Sequence, residues 1–314
     1  MSARPSLRIG TRGSDLALWQ ARRVAHLLDA RLDHDAEIVV VKTQGDRIQN
    51  VAFHKMEGKG FFTKELQEAL LDRRVDLVVH SLKDLPTEEP DGLAVAAIPE
   101  RHLTADLLLA RPGVLPATAT GPADLPDGAV LGTSSLRRAA QALSVQPQIR
   151  LEALRGNVPT RIGKLRDGKY DAILIAAAGV GRLELDLSDL VPVELAPEVM
   201  LPAPGQGALA IETRSDDPAW GVLHRLHDDD VARAIGAERG LLRLLGGGCH
   251  LPLGCLADVH ADGSVHLQAS LGEIDEELTH ARLVRVEATA ADPDTVAKAC
   301  HDLLRREMPE VATS

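Results

Sequence analysis

From Leu7 to Ile175 the chain alternates short apolar runs of strand length with amphipathic runs of helical period, and few folds accommodate that pattern. Leu7–Thr11 reads as a strand, followed by a helix capped at Ser14 whose apolar face is Leu16, Val24, Leu27 and Leu28. Ile38–Val41 follows as a strand, Thr63–Leu71 as a helix capped by Thr63, and Leu77–His80 as a strand. The alternation continues through Leu107–Ala110, Val130–Gly132, a helix from Ser135, Ile149–Leu154, a helix after Asn157 and Ala172–Ile175. Strands that alternate with helices require a layered α/β architecture. The last third differs. A helix-like stretch, Val231–Leu245, precedes strand-like Val265–Leu271 and Leu283–Val286, and a last helix begins near Asp292-Pro293. Val296, Cys300, Leu303 and Leu304 share a face of that helix, which predicts a core position for Cys300. The shift near residues 225–230 marks a separate, small α+β domain.

A chain of 314 residues can hold two or three domains. Asp and Glu total 46 against 35 Lys and Arg, a balance that argues against nucleic acid or an anionic membrane as partner. Clusters of arginine in so acidic a chain therefore call for a local explanation. Three cysteines, Cys249, Cys255 and Cys300, do not make a disulfide framework and suit a reducing cytoplasm. The N-terminal residues have no signal-peptide pattern. The apolar run Ala172–Val180 falls well short of the roughly 20 residues of a membrane span. The 12 histidines show no metal-ligand spacing, and His224 and His227 are expected on a solvated helix. Neither a P-loop nor a dinucleotide glycine fingerprint is present.

Chemistry gathers at the strand-to-helix junctions. His80-Ser81-Leu82-Lys83-Asp84 follows an apolar strand, where open α/β sheets collect ligand groups. Asp84 beside Lys83 suits a surface pair; held in a cleft, it could instead exchange protons or stabilise a developing cation. Gly132-Thr133-Ser134-Ser135-Leu136-Arg137-Arg138 places backbone N–H groups, hydroxyls and two guanidinium groups at a helix start, which is an anion site. Arg155-Gly156-Asn157 with Thr160-Arg161 repeats the device. With Arg12, these arginines suggest a ligand bearing several carboxylates, since the planar fork binds them bidentately. The long connection Thr43–Gly60 carries Lys55 and Lys59, and all three phenylalanines, Phe53, Phe61 and Phe62, lie in or beside it. It suits either a hydrophobic clip or a cover over a flat anionic ligand. Cys249, behind Gly246-Gly247-Gly248, is either the end of a Gly-rich turn or a thiol made reachable by it.

Seven motifs in order give the chain its resemblance to the porphobilinogen deaminase (hydroxymethylbilane synthase) family. They are Arg8-Ile9-Gly10-Thr11-Arg12-Gly13-Ser14 with Leu16-Ala17-Leu18-Trp19-Gln20, Gly58-Lys59-Gly60-Phe61-Phe62, His80 to Asp84, Gly132 to Arg138, Leu154-Arg155-Gly156-Asn157, Leu201-Pro202-Ala203-Pro204-Gly205-Gln206-Gly207 and Gly247-Gly248-Cys249. The resemblance implies three domains, the first two like a type II periplasmic binding protein with a central cleft and the third a small α+β domain. Their expected bounds are 1–105 with 206–227, 106–205, and 228–314. It also implies the reaction: stepwise deamination and head-to-tail condensation of four porphobilinogen molecules on a dipyrromethane primer, then hydrolytic release of 1-hydroxymethylbilane.

Carried over by motif, Cys249 holds the dipyrromethane by a thioether and Asp84 is the catalytic carboxylate. Ser81, Lys83, Thr133, Ser135, Arg137, Arg138 and Arg155 are expected on the cofactor. Arg12, Ser14, Arg161 and Arg182 are expected on the substrate. Lys55, Lys59 and Phe62 are expected in an active-site loop. No metal, nucleic acid or membrane is implied, and the expected enzyme is a cytoplasmic monomer. Gln44 stands where some relatives place arginine. Two rivals remain from the residues alone: a non-catalytic bilobal solute receptor, and a pyridoxal-phosphate deaminase using Lys83. A receptor needs no reachable Cys249, and no other mark of the pyridoxal class is present.

Overall fold

The structure, a computed structural model, describes residues 4–42, 63–247 and 251–309. Lys55, Lys59, Phe62 and Cys249 therefore lie outside the described residues. In chain order the strands and helices are β1 (Ser6–Thr11), α1 (Asp15–Leu32), β2 (Asp35–Val40), α2 (Lys64–Leu71), β3 (Leu77–Ser81), β4 (Leu93–Ala97), β5 (Asp106–Ala110) and β6 (Val130–Gly132). Next come α3 (Leu136–Val145), β7 (Arg150–Glu152), α4 (Val158–Arg166), β8 (Ala172–Ala176), α5 (Ala177–Arg182), β9 (Val191–Leu195) and β10 (Leu209–Arg214). The chain ends through α6 (Ala219–His224), α7 (Asp229–Leu244), β11 (Leu253–Val259), β12 (Val265–Ile274), β13 (Ala281–Ala290) and α8 (Pro293–Glu307).

Two compact units result: Met1–His102 with Gly207–Ala232, and Leu103–Gln206 with Arg233–Ser314. The first contains one five-stranded sheet in the order β2-β1-β3-β10-β4. Strands β1, β2 and β3 run parallel, and β10 is antiparallel to both its neighbours. The second unit repeats the plan in the order β7-β6-β8-β5-β9. Here β6 runs parallel to β7 and β8, and β5 is antiparallel to β8 and β9. In each sheet the strand antiparallel to both its neighbours, β10 or β5, is the first one formed after the chain enters from the other unit.

Strand alternation builds the cores, because successive side chains point to opposite faces. Leu77 and Val79 join Ile9, Leu28 and Ile211 on one face of the first sheet, while Val78 joins Leu66, Leu70 and Val75 on the other. Leu108, Leu131 and Leu174 likewise part from Leu107, Leu109, Ile173 and Ile175 in the second. Sheets buried on both faces explain the continuous apolar runs. The apolar run Ala172–Val180 is divided between β8 and α5.

The C-terminal sheet, β11-β12-β13, packs with α7 and α8 around a core of its own that includes Cys255 and Cys300, both fully buried. The sheet docks within the second unit. Cys255 N donates to Pro202 O at 2.8 Å, and Arg285 donates to Pro197 O at 3.1 Å and Val199 O at 3.0 Å. Buried Glu238 on α7 accepts from Gly205 N at 2.7 Å and from Ala257 N at 2.9 Å.

Two expectations need correction. Thr63 stands at the start of α2, but its side chain makes no capping hydrogen bond. His224 and His227 are not simply solvated. His224 stacks between Trp220 and His227 at 4.6 and 5.0 Å, donating from Nδ1 to Ala96 O at 2.9 Å. His227 is half-buried and accepts from Ile98 N at 3.1 Å; burial, with neighbouring His224, lowers its pKa.

Candidate active-site junctions

Adjacent parallel strands end at the same edge of a sheet, so their following loops gather there. In the first unit β1 and β3 are such neighbours, paired Ile9 with Leu77 and Gly10 with Val78. The loop after β1 carries half-buried Arg12 and leads into α1, where Ser14 caps the helix by accepting from Ala17 N at 3.4 Å. Buried Gln20 on α1 donates to Ser81 Oγ at 2.6 Å, tying the helix to the end of β3. Beyond Ser81 the chain makes a single 3-10 turn, Leu82–Asp84. Leu82 and Leu85 are buried and anchor that turn, leaving Lys83 half-buried and the Asp84 carboxylate exposed. Beneath it, His80 Nε2 donates to Glu212 Oε2 at 2.9 Å and Gln67 Nε2 to Glu212 Oε1 at 2.9 Å, so this buried carboxylate has both oxygens partnered.

The second unit has the matching edge. Strand β6 pairs in parallel with β7, Gly132 opposite Glu152. Thr133 N donates to Glu152 O at 2.9 Å, and Thr133 Oγ1 accepts from Ser135 N at 3.2 Å. Ser135 then caps α3 by accepting from Arg138 N at 3.4 Å. After β7, Gly156 has φ of +112°, a backbone state that L side chains avoid. Asn157 caps α4, accepting from Thr160 N at 2.9 Å. Arg161 Nε reaches back to Gly156 O at 2.7 Å and Lys164 Nζ to Arg155 O at 2.9 Å, so the loop that presents half-buried Arg155 is braced on both sides. Arg182 is the buried last residue of α5, the helix that follows β8.

Arg137 and Arg138, both expected on the cofactor, differ in the capacity their guanidinium groups have left. Both are buried, and both pair with Asp106, which is 0% exposed at the start of β5. Arg138 commits every guanidinium nitrogen: Nε and Nη2 donate to Asp106 Oδ1 at 3.2 and 2.7 Å, and Nη1 to Leu174 O at 3.2 Å. Arg137 uses Nη1 alone, donating to Asp106 Oδ2 at 2.6 Å and Leu201 O at 2.7 Å. Among the described residues its Nε–Nη2 edge meets no acceptor. Arg138 is thus a support in this structure, and Arg137 retains the fork. Burial alone would raise the Asp106 pKa, but the two arginines override it and hold the carboxyl well below the usual range. Burial lowers the Arg137 pKa, with the Asp106 charge opposing.

The sequence alone assigns no role to Asp106 or to Gln206, which stands within the Leu201 to Gly207 motif. A lone charge heading the apolar run Asp106-Leu107-Leu108-Leu109 was the available signal, since a buried carboxylate requires partners. No described helix is long and apolar enough to cross a membrane.

A family model described as "Porphobilinogen deaminase, dipyromethane cofactor binding domain" matches residues 7–221, and "Porphobilinogen deaminase, C-terminal domain" matches residues 232–306. A porphobilinogen deaminase of Syntrophomonas wolfei is 46% identical over 274 residues, covering 86% of each chain. Another from Oceanobacillus iheyensis is 42% identical over 298 residues, covering 94% of this chain and 93% of that one. Among solved structures, the periplasmic VFT2 domain of Bordetella pertussis BvgS is similar at 14% identity and a TM-score of 0.43, over 73% of this chain and 91% of that domain.

Proposed function

This chain belongs to the porphobilinogen deaminase family, and from that membership we propose how its residues divide the work of joining four porphobilinogen molecules into 1-hydroxymethylbilane. The observation that carries the reading is the exposed carboxylate of Asp84, presented at the end of a buried strand by a turn anchored on Leu82 and Leu85. Porphobilinogen is a flat pyrrole with two carboxylates and an aminomethyl group. Loss of ammonia leaves a positively charged methylene-pyrrolenine. Asp84 accepts from the pyrrole N–H and stabilises that charge as it develops, an interaction stronger in the transition state than before it.

The residues also fit a dipyrromethane group. Two guanidinium groups at the start of α3 share one buried carboxylate, Asp106 of β5, which leaves one positive charge and one open fork for a ligand carboxylate. When bound, the dipyrromethane supplies the free pyrrole α-carbon from which the product grows. Cys249 is its thioether anchor in this reading. Ser81, Lys83, Thr133, Ser135, Arg137 and Arg155 hold its polar groups, with Arg138 acting through Asp106. Arg12, Ser14, Arg161 and Arg182 hold substrate carboxylates, and Lys55, Lys59 and Phe62 cover the reacting rings. A cytoplasmic monomer completes the proposal, and the cysteine usage supports a reducing compartment.

Intact-mass measurement tests the reading. The purified chain is expected to carry an adduct of two pyrrole units, absent in Cys249→Ser. An active wild-type chain of unmodified mass would sink the anchor assignment.

A further inference from the structure

We propose that Asp106 is a positioning residue for carboxylate recognition: it clamps Arg137 through Nη1, so that the Nε–Nη2 edge stands ready for a single ligand carboxylate. The inference rests on the proposed role of Arg137. Its support is geometric. Asp106 is fully buried and receives donors from three side chains: Arg137 at 2.6 Å, Arg138 at 2.7 Å and Gln206 Nε2 at 2.9 Å. Gln206 also donates to Thr104 O at 2.7 Å, which fixes the backbone just before β5. On the other side of Arg137, the accepting carbonyl of Leu201 is itself held. Gln141 Nε2 donates to it at 3.0 Å, and Leu201 N donates to Gln141 Oε1 at 2.8 Å. One nitrogen of Arg137 thus sits between two fixed acceptors.

Charge and entropy give this clamp its consequence. Among the described residues, Asp106 is the one carboxylate within ion-pair distance of either arginine. Two cations and one anion leave a single positive charge, and a buried charge is costly until matched. One incoming carboxylate completes the balance; a second would overshoot it. A free arginine loses considerable rotamer freedom when it binds, and a guanidinium immobilised beforehand avoids most of that loss. Arg138 contributes by fixing Asp106 rather than by meeting ligand. Asp106 therefore sets both the direction of the fork and the number of carboxylates it takes.

The test compares Asp106→Asn, Asp106→Glu, Arg137→Leu and Arg138→Gln in the full-length chain. Each is read by intact mass for dipyrromethane content, by steady-state kinetics and by thermal melting. Asp106→Asn is expected to reduce the adduct-bearing fraction about tenfold, matching Arg137→Leu. Asp106→Glu keeps the charge and moves the clamp by one methylene. It is expected to fold and yet lose about tenfold in adduct content or in kcat/KM, since an ångström of misplacement is enough. In an Arg138→Gln background, Asp106→Asn should cost little further adduct, because both act through the same fork. Lower melting with wild-type adduct content and kinetics in both Asp106 variants would overturn the inference, leaving Asp106 a structural ion pair. Should Asp106→Asn fail to fold, Asp106→Glu decides alone. Wild-type behaviour of Arg137→Leu would instead remove the underlying reading of that arginine.

Discussion

Arg137 and Arg138 are adjacent in sequence and chemically identical, yet their guanidinium groups have different capacities left. Arg138 has donors on Asp106 and Leu174 O through all three nitrogens, whereas Arg137 keeps one edge. Arg138→Leu should therefore lower stability more, by about 3 kcal/mol, because it strips Oδ1 of a buried carboxylate of two charged donors. Arg137→Leu should lose more dipyrromethane content per degree of melting temperature lost. Equal ratios in the two variants would remove the distinction. Asp84 differs again, since its carboxylate is exposed and no core depends on it. Asp84→Asn should melt with the wild type and keep its adduct, while kcat falls by about 10²–10³-fold. Turnover near the wild-type rate would exclude it as the catalytic group. Cys300 provides an internal control for thiol chemistry. Burial pushes its pKa up to about 11, and Sγ donates to Leu267 O at 3.5 Å. It should resist iodoacetamide at pH 8 in the native protein and react in denaturant.

Elements were legible in the sequence where one physical signal dominated. Strands β3, β6 and β8 are apolar runs and β1 sets Leu7 and Ile9 between polar residues, while helices α1, α3 and α4 start at Ser14, Ser135 and Asn157, each of which caps as its side chain permits. Strands β4, β9, β10 and β11 and helix α5 have no counterpart among the sequence expectations. Strand β9 carries Pro192 and Glu194, which mark an edge strand and interrupt apolar periodicity. Strand β10 contains Glu212, Thr213 and Arg214, all buried, and only the fold supplies their partners. Helix α5 is a direct apolar continuation of β8, with no polar residue to mark the change. The candidate site followed the same division. The arginines stand out by motif order and Asp106 as a charge heading an apolar run, while the bracing of Arg137 and Arg138 by Asp106 and Gln206 is visible only from burial and distance. The loop after β7 allows a test at this scale. A Cβ on Gly156 would lie 2.7 Å from Thr160 Cγ2 in a backbone state of positive φ. Gly156→Ala should cost about 2 kcal/mol and shift the Arg155 loop, raising KM for porphobilinogen. An unchanged KM would mean that this loop does not position a ligand group.

Both units rely on carboxylates that titrate below their usual range, which ties the stability of the whole molecule to acid pH. In the first unit, Asp76 is opposed by burial but stabilised as an anion by Arg8, which donates from Nε at 3.1 Å and Nη2 at 2.8 Å. Glu100 is likewise opposed by burial and held down by Arg23, at 2.7 Å. In the second, the Val130 backbone N–H and then Arg111 lower Asp171, and Asp106, opposed by burial, is held down by its two arginines. A carboxylate with a depressed folded-state pKa contributes stability that is fully present above its unfolded value, near 3.8 for Asp and 4.5 for Glu. That contribution is lost as pH falls through the folded-state value. Melting temperature should therefore vary little from about pH 7 to 5 and fall steeply below about pH 4, where unfolding takes up protons. Asp76→Asn separates this linkage from general acid effects. The variant should melt lower at pH 7, where the Arg8 pair is intact in the wild type. Its melting temperature should also fall less steeply between pH 4.5 and 2.5, because one proton-linked group is gone. Parallel curves for variant and wild type would show that Asp76 is not among the groups whose protonation unfolds the protein.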